Sequence, residues 1–219
     1  MSVKNLFKSC CLGLIFLSTA LCATARDGVA VVVDVVSYCK ARAELDGYVK
    51  ALEQKQGYKV YVIIDRWQVP DSIRARLMEL HTQKHDAIVG AVLVGDIPVP
   101  MVRDAQYLTS AFKMDQSRDR RESSVPSDRF YDDFSLRFCP LGKDDTLPYY
   151  YYSLSAEGAQ RLSPDIFSGR IRPTDAGGTS RYDKLRAYLR KATAAKLNPE
   201  PFSSVFVFTG DGSISCLLY

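Results

Sequence analysis

The stretch GVAVVVDVV at residues 28–36 contains six valines and one charged side chain, Asp34. β-branched residues favour extended backbone. A nearly continuous apolar run is typical of a strand that is buried on both faces of a parallel sheet. Such a strand needs helices above and below it, so this stretch predicts an α/β domain.

The neighbouring sequence extends this pattern. YKVYVII at residues 58–64 and AIVGAVLV at 87–94 predict two more strands. Between the strands, apolar residues recur at steps of three and four, which predicts a helix with Ser37 as its N-cap and Gly57 as its stop. Pro70 opens a second predicted helix. The order β-α-β-α-β with short connections predicts a mainly parallel sheet flanked by helices on both faces.

Regular structure is predicted again near the carboxyl end of the chain. DIFSGRI at residues 165–171 predicts a strand, and Thr179 or Ser180 can cap the helix that follows. SVFVFT at 204–209 predicts a fifth strand of this domain. The chain continues for only ten residues beyond this strand. We therefore expect the domain to be truncated.

Residues 97–165 interrupt the α/β pattern. This region contains early prolines, a charged run at 118–122 and four consecutive tyrosines at 149–152. The sequence predicts a long irregular region, with the tyrosine run as a half-buried edge strand. Long loops inside compact domains usually have a function.

The first 25 residues have the pattern of a secretory signal peptide. Lys4 and Lys8 precede an apolar run at residues 10–22, and Ala-Thr-Ala at 23–25 is typical of a cleavage site before Arg26. The apolar run is shorter than the roughly 18 residues that a membrane-spanning helix needs. The sequence thus predicts a secreted protein located in the periplasm, on the cell surface or outside the cell, without a stable membrane span.

Composition excludes several functional classes. The net charge is +4 over 219 residues, and basic and acidic residues are interspersed, so no nucleic-acid partner is expected. Beyond the predicted signal, Cys39, Cys139 and Cys216 remain, an odd number that permits at most one internal disulfide. The only histidines are His81 and His85. We interpret both as solvated, and a zinc site built on His and Cys is not favoured.

Three segments lie in predicted strands or directly follow them. They are candidate ligand-binding segments because open parallel sheets bind ligands at their carboxyl edge. They are Gly-Asp at residues 95–96, Gly-Arg at 169–170 and TGDGS at 209–213. The last segment could bind an anion through backbone N–H groups, but it lacks the lysine of a P-loop. We interpret Gly169 and Arg170 as serving strand packing and a buried charge pair.

An acidic segment lies within the irregular region. Asp128, Asp132 and Asp133 could ligate a hard cation such as Ca²⁺, which prefers several oxygen ligands. Their spacing does not match the EF-hand pattern. The alternative interpretation is a solvated acidic loop.

Four segments, taken in this order, resemble the gingipain family of secreted cysteine peptidases. They are VLVGDIPVP at 92–100, PSDRFYDDF at 126–134, DIFSGRIRPT at 165–174 and YDKLRAYLRKA at 182–192. The family pattern is a strand ending V-G-D, then S-D-x-x-Y, then a strand with G-R and a helix with recurring Lys/Arg and Tyr. The resemblance covers roughly residues 92–209, and the preceding β-α-β-α units fit the same family.

The resemblance implies a caspase-like α/β fold and hydrolysis of peptides or proteins. It implies a Cys nucleophile, activated by a His, that forms a thioester with the substrate. It requires no cofactor. Because the S-D-x-x-Y segment borders the family's active-site cleft, the resemblance makes Asp128 a substrate-binding residue or, together with Asp132 and Asp133, a ligand of Ca²⁺.

The sequence departs from the family at the catalytic residues, so we assign none. Asp211 stands where one alignment places the His, and a carboxylate of pKa about 3.9 is too weak a base for a thiol of pKa about 8.5. Cys216 lies too close to Asp211 to match the family's nucleophile. A second alignment places the catalytic half beyond Tyr219. Both alignments predict that residues 26–219 form an incomplete, inactive gingipain-like domain; the rival hypothesis is a non-catalytic α/β binding module that uses the 97–165 region.

Overall fold

The computed structural model describes residues 26–105, 108 and 114–199. The elements follow one another as β1 (Gly28–Asp34), α1 (Val35–Gln56), β2 (Lys59–Asp65), α2 (Pro70–Thr82), β3 (Ile88–Val94), β4 (Val99–Arg103), β5 (Val125–Pro126), α3 (Arg129–Asp132), β6 (Phe138–Lys143), β7 (Tyr149–Leu154), β8 (Phe167–Ile171) and α4 (Arg181–Leu197). They form two four-stranded sheets. We call β2-β1-β3-β8 the parallel sheet and β5-β4-β7-β6 the mixed sheet.

The parallel sheet confirms the predicted α/β class. All three of its strand pairs are parallel, and Val32 in β1 lies opposite Ile63 in β2 and Leu93 in β3. Every residue of β1 is buried. The valine-rich stretch therefore occupies an inner strand, where both of its faces and both of its edges are covered.

Successive side chains of β1 enter two different hydrophobic cores. Val29, Val31 and Val33 pack with residues of α1 and α4 on one face of the sheet. Ala30 and Val32 pack with residues of α2 on the other face. Helices thus flank both faces, as the β-α-β-α-β order predicts. Each fully buried valine contributes about 1.5–3 kcal/mol relative to an exposed one.

The helix boundaries correct one prediction and confirm others. Asp34, rather than Ser37, is the N-cap of α1, and its carboxylate accepts a hydrogen bond from the Ser37 N–H at 2.9 Å. The prediction was wrong because the chain enters the helix directly from the last residue of β1. Gly57 ends α1 with a left-handed φ of 75°. Ser180 caps α4 by accepting from the Tyr182 N–H.

The mixed sheet replaces the long irregular region that the sequence predicts. β4 pairs with β7 in parallel, while β5 and β6 pair antiparallel with β4 and β7. These strands lack a clear pattern because they are short and contain prolines, including Pro100, Pro126 and Pro140. The tyrosine strand β7 lies between β4 and β6 and is not an edge strand. Its Tyr151 and Tyr152 are buried.

Helix α2 connects the mixed-sheet region to the parallel sheet. Phe130, Tyr131 and Tyr152 share a core with α2 and β1. The guanidinium of Arg74 in α2 donates to three backbone carbonyls, those of Phe130, Asp133 and Leu136. It also lies over the rings of Phe130, Phe134 and Phe138, at 5.3–5.7 Å from their centroids. These contacts fix the polypeptide around α3 against α2.

Several predicted features lie outside the described residues. They are the signal peptide at 1–25, the strand at 204–209, the segment at 209–213 and Cys216. Within the part of the chain that the structure describes, no helix is long and apolar enough to cross a membrane.

Candidate functional site

Gly95 and Asp96 form the turn where β3 leaves the parallel sheet. Gly95 has φ of 83°, and a Cβ at this position would lie 2.1 Å from Oδ2 of Asp34. Only glycine fits such a close approach in this conformation. The same Oδ2 accepts a hydrogen bond from the Asp96 N–H at 2.8 Å. The buried Asp34 carboxylate thus fixes both the start of α1 and the position of Asp96 at the carboxyl edge.

The Asp96 carboxylate contacts two arginines from later elements. Its Oδ1 accepts from Nη2 of Arg181 at 2.7 Å and lies 3.6 Å from Nε of Arg172. Arg172 directly follows β8, and Arg181 begins α4. The hydrogen bond to Asp96 raises the pKa of the Arg181 guanidinium, which therefore stays charged. Ion pairs thereby connect the Gly-Asp turn to the end of β8 and to the start of α4.

Arg170 joins the Asp128 segment to the exit of β3. Its guanidinium makes a bidentate contact with the Asp128 carboxylate, with Nη2 to Oδ1 at 2.8 Å and Nε to Oδ2 at 3.1 Å. It also donates to the carbonyls of Ile97 at 2.8 Å and Pro98 at 3.2 Å. The charge pair predicted for Arg170 is present, but it is half-buried rather than buried. Arg170 and Asp128 expose 17% and 27% of their side chains, so the pair is only partly accessible to a ligand.

Tyr131 contributes to the same network. Its hydroxyl donates to the Pro98 carbonyl at 2.8 Å, and burial raises its pKa, so it remains a neutral donor. Asp128 and Tyr131 lie three residues apart, which places both next to the backbone that follows β3. This geometry explains the S-D-x-x-Y spacing as a means of anchoring the segment to the sheet edge.

Asp132 and Asp133 are buried and have their own protein partners. The Asp132 carboxylate contacts Nη2 of Arg129 at 2.5 Å and accepts a hydrogen bond from the Ser168 hydroxyl. Burial raises its pKa from 3.8 to about 6. Asp133 accepts from the Ser135 hydroxyl at 2.7 Å and from the Ser163 N–H at 2.6 Å.

The three aspartates of the predicted cation site are therefore held by different partners. Within residues 26–105, 108 and 114–199, no group of three or more His, Cys, Asp or Glu side chains is arranged to hold a metal ion. The interpretation as a solvated acidic loop is wrong for Asp132 and Asp133, which are fully buried. Ca²⁺ binding by these residues stays a prediction, and so does substrate contact by Asp128.

A cleft of about 620 Å³ opens between the carboxyl edge of the parallel sheet and the mixed sheet. Four parts of the chain line it. They are the exit of β3, the exit of β8, the connection into α2 and the β6–β7 hairpin. The lining residues are Trp67, Gln68, Val69, Asp96, Ile97, Pro98, Lys143, Pro148, Tyr150 and Arg172. This is the edge at which open parallel sheets bind ligands, so the cleft is the candidate functional site.

Two aromatic residues form fixed walls of the cleft. The indole Nε1 of Trp67 donates to the Val33 carbonyl at 3.0 Å, which ties the ring to the end of β1. The Tyr150 hydroxyl donates to the Gln68 carbonyl, and the Lys143 ammonium lies 5.6 Å from the Tyr150 ring centroid. A second hollow of about 280 Å³ also includes Val69, Lys143 and Tyr150 in its lining. The two hollows therefore adjoin at Lys143 and Tyr150.

Sequence reasoning located the edge of this site but missed most of its lining. Trp67 and Arg172 closely follow β2 and β8, so the rule that ligands bind at carboxyl ends of strands could have found them. Lys143, Pro148 and Tyr150 belong to the mixed sheet. Their place in the cleft depends on a strand pairing that the sequence did not reveal.

The described cysteines and histidines do not form a catalytic pair. Cys39 and Cys139 are free and exposed. His81 is partly buried, and its Nδ1 lies 2.9 Å from the Ile88 carbonyl oxygen, so its interpretation as solvated was wrong. His85 is exposed. Among the residues that the structure describes, no hydrogen bond joins either thiol to either imidazole.

Comparisons with known proteins add no further assignment to this geometry. No family model matches the chain, and neither the curated proteins nor the solved structures contain a significant match.

Proposed function

We propose that this chain is a gingipain-like, secreted cysteine-endopeptidase homologue with a caspase-like fold, and that its cleft binds peptide without cleaving it. One observation carries the proposal. Arg170 connects the first three segments that resemble the family, and Asp96 contacts Arg181, the residue directly before the fourth segment. If these segments build one edge of a binding site together, their contacts explain why they occur together in the family pattern.

The described lining of the cleft supports the binding part of the proposal. The family mechanism needs a thiolate next to an imidazole that accepts its proton. Cys39 and Cys139 lie on the outer surface of α1 and on β6, and neither residue lines the cleft. The cleft instead offers two aromatic walls and the charged groups of Asp96, Lys143 and Arg172. These groups orient a ligand but supply no nucleophile with an adjacent base.

The second candidate function is a non-catalytic binding module that uses the 97–165 region. The observation that favours it is the contribution of Lys143, Pro148 and Tyr150 from the mixed sheet to one wall of the cleft. Both candidates use the same cleft. The peptidase homologue would have a further segment with the catalytic His and Cys beside the cleft, whereas the binding module would not. The coding sequence downstream of the Tyr219 codon distinguishes the two candidates. A G-H-G stretch and a later Cys there favour the peptidase homologue.

The sole tryptophan of the chain, Trp67, reports on the cleft. We expect a panel of extended peptides to change Trp67 fluorescence in a saturable manner, while Trp67→Phe abolishes the signal without abolishing binding measured by calorimetry. Under reducing conditions the same peptides should remain intact by mass spectrometry. Peptide turnover that disappears in Cys216→Ala would overturn the proposal that the chain does not cleave. Absence of binding by every peptide would overturn the peptide-binding role.

A further inference from the structure

We propose that the cleft selects an extended peptide segment that carries an acidic side chain, and that Lys143 and Arg172 bind its carboxylate. This inference rests on the proposed peptide-binding function and names the class of peptide.

The charges around the cleft favour an anion. Among the described residues that line the cleft, Asp96 is the only acidic one, and Arg181 contacts it at 2.7 Å. Arg172 lies farther from Asp96, at 3.6 Å, and retains donors for another partner. Asp96 is thus compensated by Arg181, which leaves the charge of Arg172 available to a ligand.

Lys143 adds the second positive charge. Within the described part of the chain, no carboxylate lies within 4.0 Å of its ammonium, whose aromatic neighbour is the Tyr150 ring. Lys143 belongs to β6, while Arg172 follows β8, so the two cations approach the cleft from different sheets. Each of the two side chains offers charge-assisted hydrogen bonds to a ligand carboxylate in the cleft. A lysine or arginine side chain in the same place would be repelled by both.

The remaining walls fit a peptide backbone and its apolar side chains. Trp67 and Tyr150 direct their polar atoms to the protein, at the Val33 and Gln68 carbonyls, so a ligand meets mainly their ring surfaces. Pro98 and Pro148 add rigid apolar surface without backbone N–H donors. The adjoining hollow continues past Lys143 and Tyr150. That hollow also includes Asp71, whose carboxylate accepts a hydrogen bond from the Tyr152 hydroxyl. Two adjoining hollows that share Lys143 suit an extended chain better than a compact anion.

The test uses three peptides of identical length and apolar sequence whose central residue is Glu, Gln or Lys. Calorimetry and Trp67 fluorescence measure their binding to the full chain at low salt and at about 0.5 M salt, where surface charges are largely screened. We expect the Glu peptide to bind about tenfold more tightly than the Gln peptide and the Lys peptide to bind most weakly. Lys143→Gln and Arg172→Gln should each remove most of the Glu preference. Lys191→Gln and Arg161→Gln, which change exposed residues outside the cleft, should keep it.

The outcomes distinguish a failure of the acidic selectivity from a failure of the proposed peptide binding. Equal binding of the Glu and Gln peptides, or preference for the Lys peptide, would overturn the acidic selectivity while leaving peptide binding intact. Failure of all three peptides would overturn both. Inorganic phosphate serves as the probe for a small anion. If phosphate binds more tightly than the Glu peptide, the ligand class is wrong.

Discussion

The parallel sheet and the mixed sheet are held in place by different kinds of contact. The parallel sheet is stabilised by aliphatic side chains that are almost fully buried on both faces, such as Val31, Val33 and Leu93. The mixed sheet and its loops have a smaller apolar core, with Val102, Leu136 and Leu154, and they add buried carboxylates to it. Asp144, for example, has an inaccessible side chain that accepts from the Thr146 and Leu147 N–H groups and contacts Arg121.

This difference sets how each region responds to change. Burial of apolar surface is not directional, so its contribution scales with area and tolerates small rearrangements. Polar contacts inside a protein are directional, and removal of one partner leaves the other unsatisfied at a cost of about 1–3 kcal/mol. We therefore expect mutations in the parallel sheet to lower global stability, and mutations of the polar contacts to loosen the mixed-sheet region first.

The largest expected effect is in the core of the parallel sheet. Leu93 is fully buried in the inner strand β3, so Leu93→Ala should lower the free energy of unfolding by about 4 kcal/mol through lost burial and a residual cavity. Urea unfolding followed by circular dichroism measures the change. Val62→Ala in the edge strand β2, where Val62 is 40% exposed, is the matched control and should cost less than about 1 kcal/mol. Similar losses in both variants would contradict the comparison.

The next effect concerns Arg74, which links α2 to the mixed-sheet region. Arg74→Met keeps much of the packing against the phenylalanine rings but leaves the carbonyls of Phe130, Asp133 and Leu136 without their donor. We expect a loss of about 3 kcal/mol. Hydrogen exchange should increase in residues 129–143 before it increases in β1 or β3.

The control for this variant lies on the same helix. Arg76 is more exposed and pairs with Glu79 on the surface, so Arg76→Met should change stability by less than about 1 kcal/mol. If Arg74→Met instead raised exchange equally in both sheets, the two regions would unfold as one unit and the distinction between them would fail.

The same contrast explains what the sequence could predict. The strands of the parallel sheet and the helices beside them carry local patterns, because apolar side chains must repeat where an element faces a core. Gly57 ends α1 and Ser180 begins α4, and each cap directly adjoins its helix in the sequence. These features depend on neighbours in the chain, so composition and spacing were sufficient.

The mixed sheet depends on partners that are distant in sequence. Tyr150 contacts the Gln68 carbonyl and Arg170 contacts Asp128, across separations of 82 and 42 residues. Nothing near Tyr150 in the sequence indicates that its strand is an inner one, and nothing near Lys143 indicates a cleft. The candidate site was thus predictable only where it lies at the ends of the parallel strands.

A third prediction concerns Asp132, a fully buried carboxylate near Asp128. Burial raises the pKa of Asp132 from 3.8 to about 6, so the folded state binds this proton more tightly than the unfolded state does. The resulting stabilisation is fully present below about pH 4 and is lost as the pH rises through 6. At about 1.4 kcal/mol per pKa unit, the loss is about 2–3 kcal/mol.

Comparison with Asp132→Asn isolates this contribution. Hydrogen bonds lower the pKa of Asp144, so its contribution to stability has the opposite pH dependence. Acid removes that contribution at a lower pH. The difference in unfolding free energy between the wild type and Asp132→Asn should therefore fall between pH 4 and pH 6. Asp46→Asn, at an exposed position on α1, is the control for removal of a surface carboxylate. A flat profile for Asp132→Asn would mean that Arg129 keeps the carboxylate ionised.

The smallest expected effect lies at the amino edge of the parallel sheet. The backbone nitrogen of Arg26 donates to the Asp86 carboxylate at 2.8 Å on the exposed surface. Cleavage before Arg26 would convert this nitrogen into an ammonium group and the hydrogen bond into an ion pair. Exposed ion pairs contribute about 0–1 kcal/mol. The free energy of unfolding of a chain that starts at Arg26 should therefore exceed that of a chain extended by Gly-Ala by less than about 1 kcal/mol. Asp86→Asn should abolish even this difference. A gain well above this range would show that charged contacts also matter to the parallel sheet, whose stability we otherwise assign to its aliphatic core.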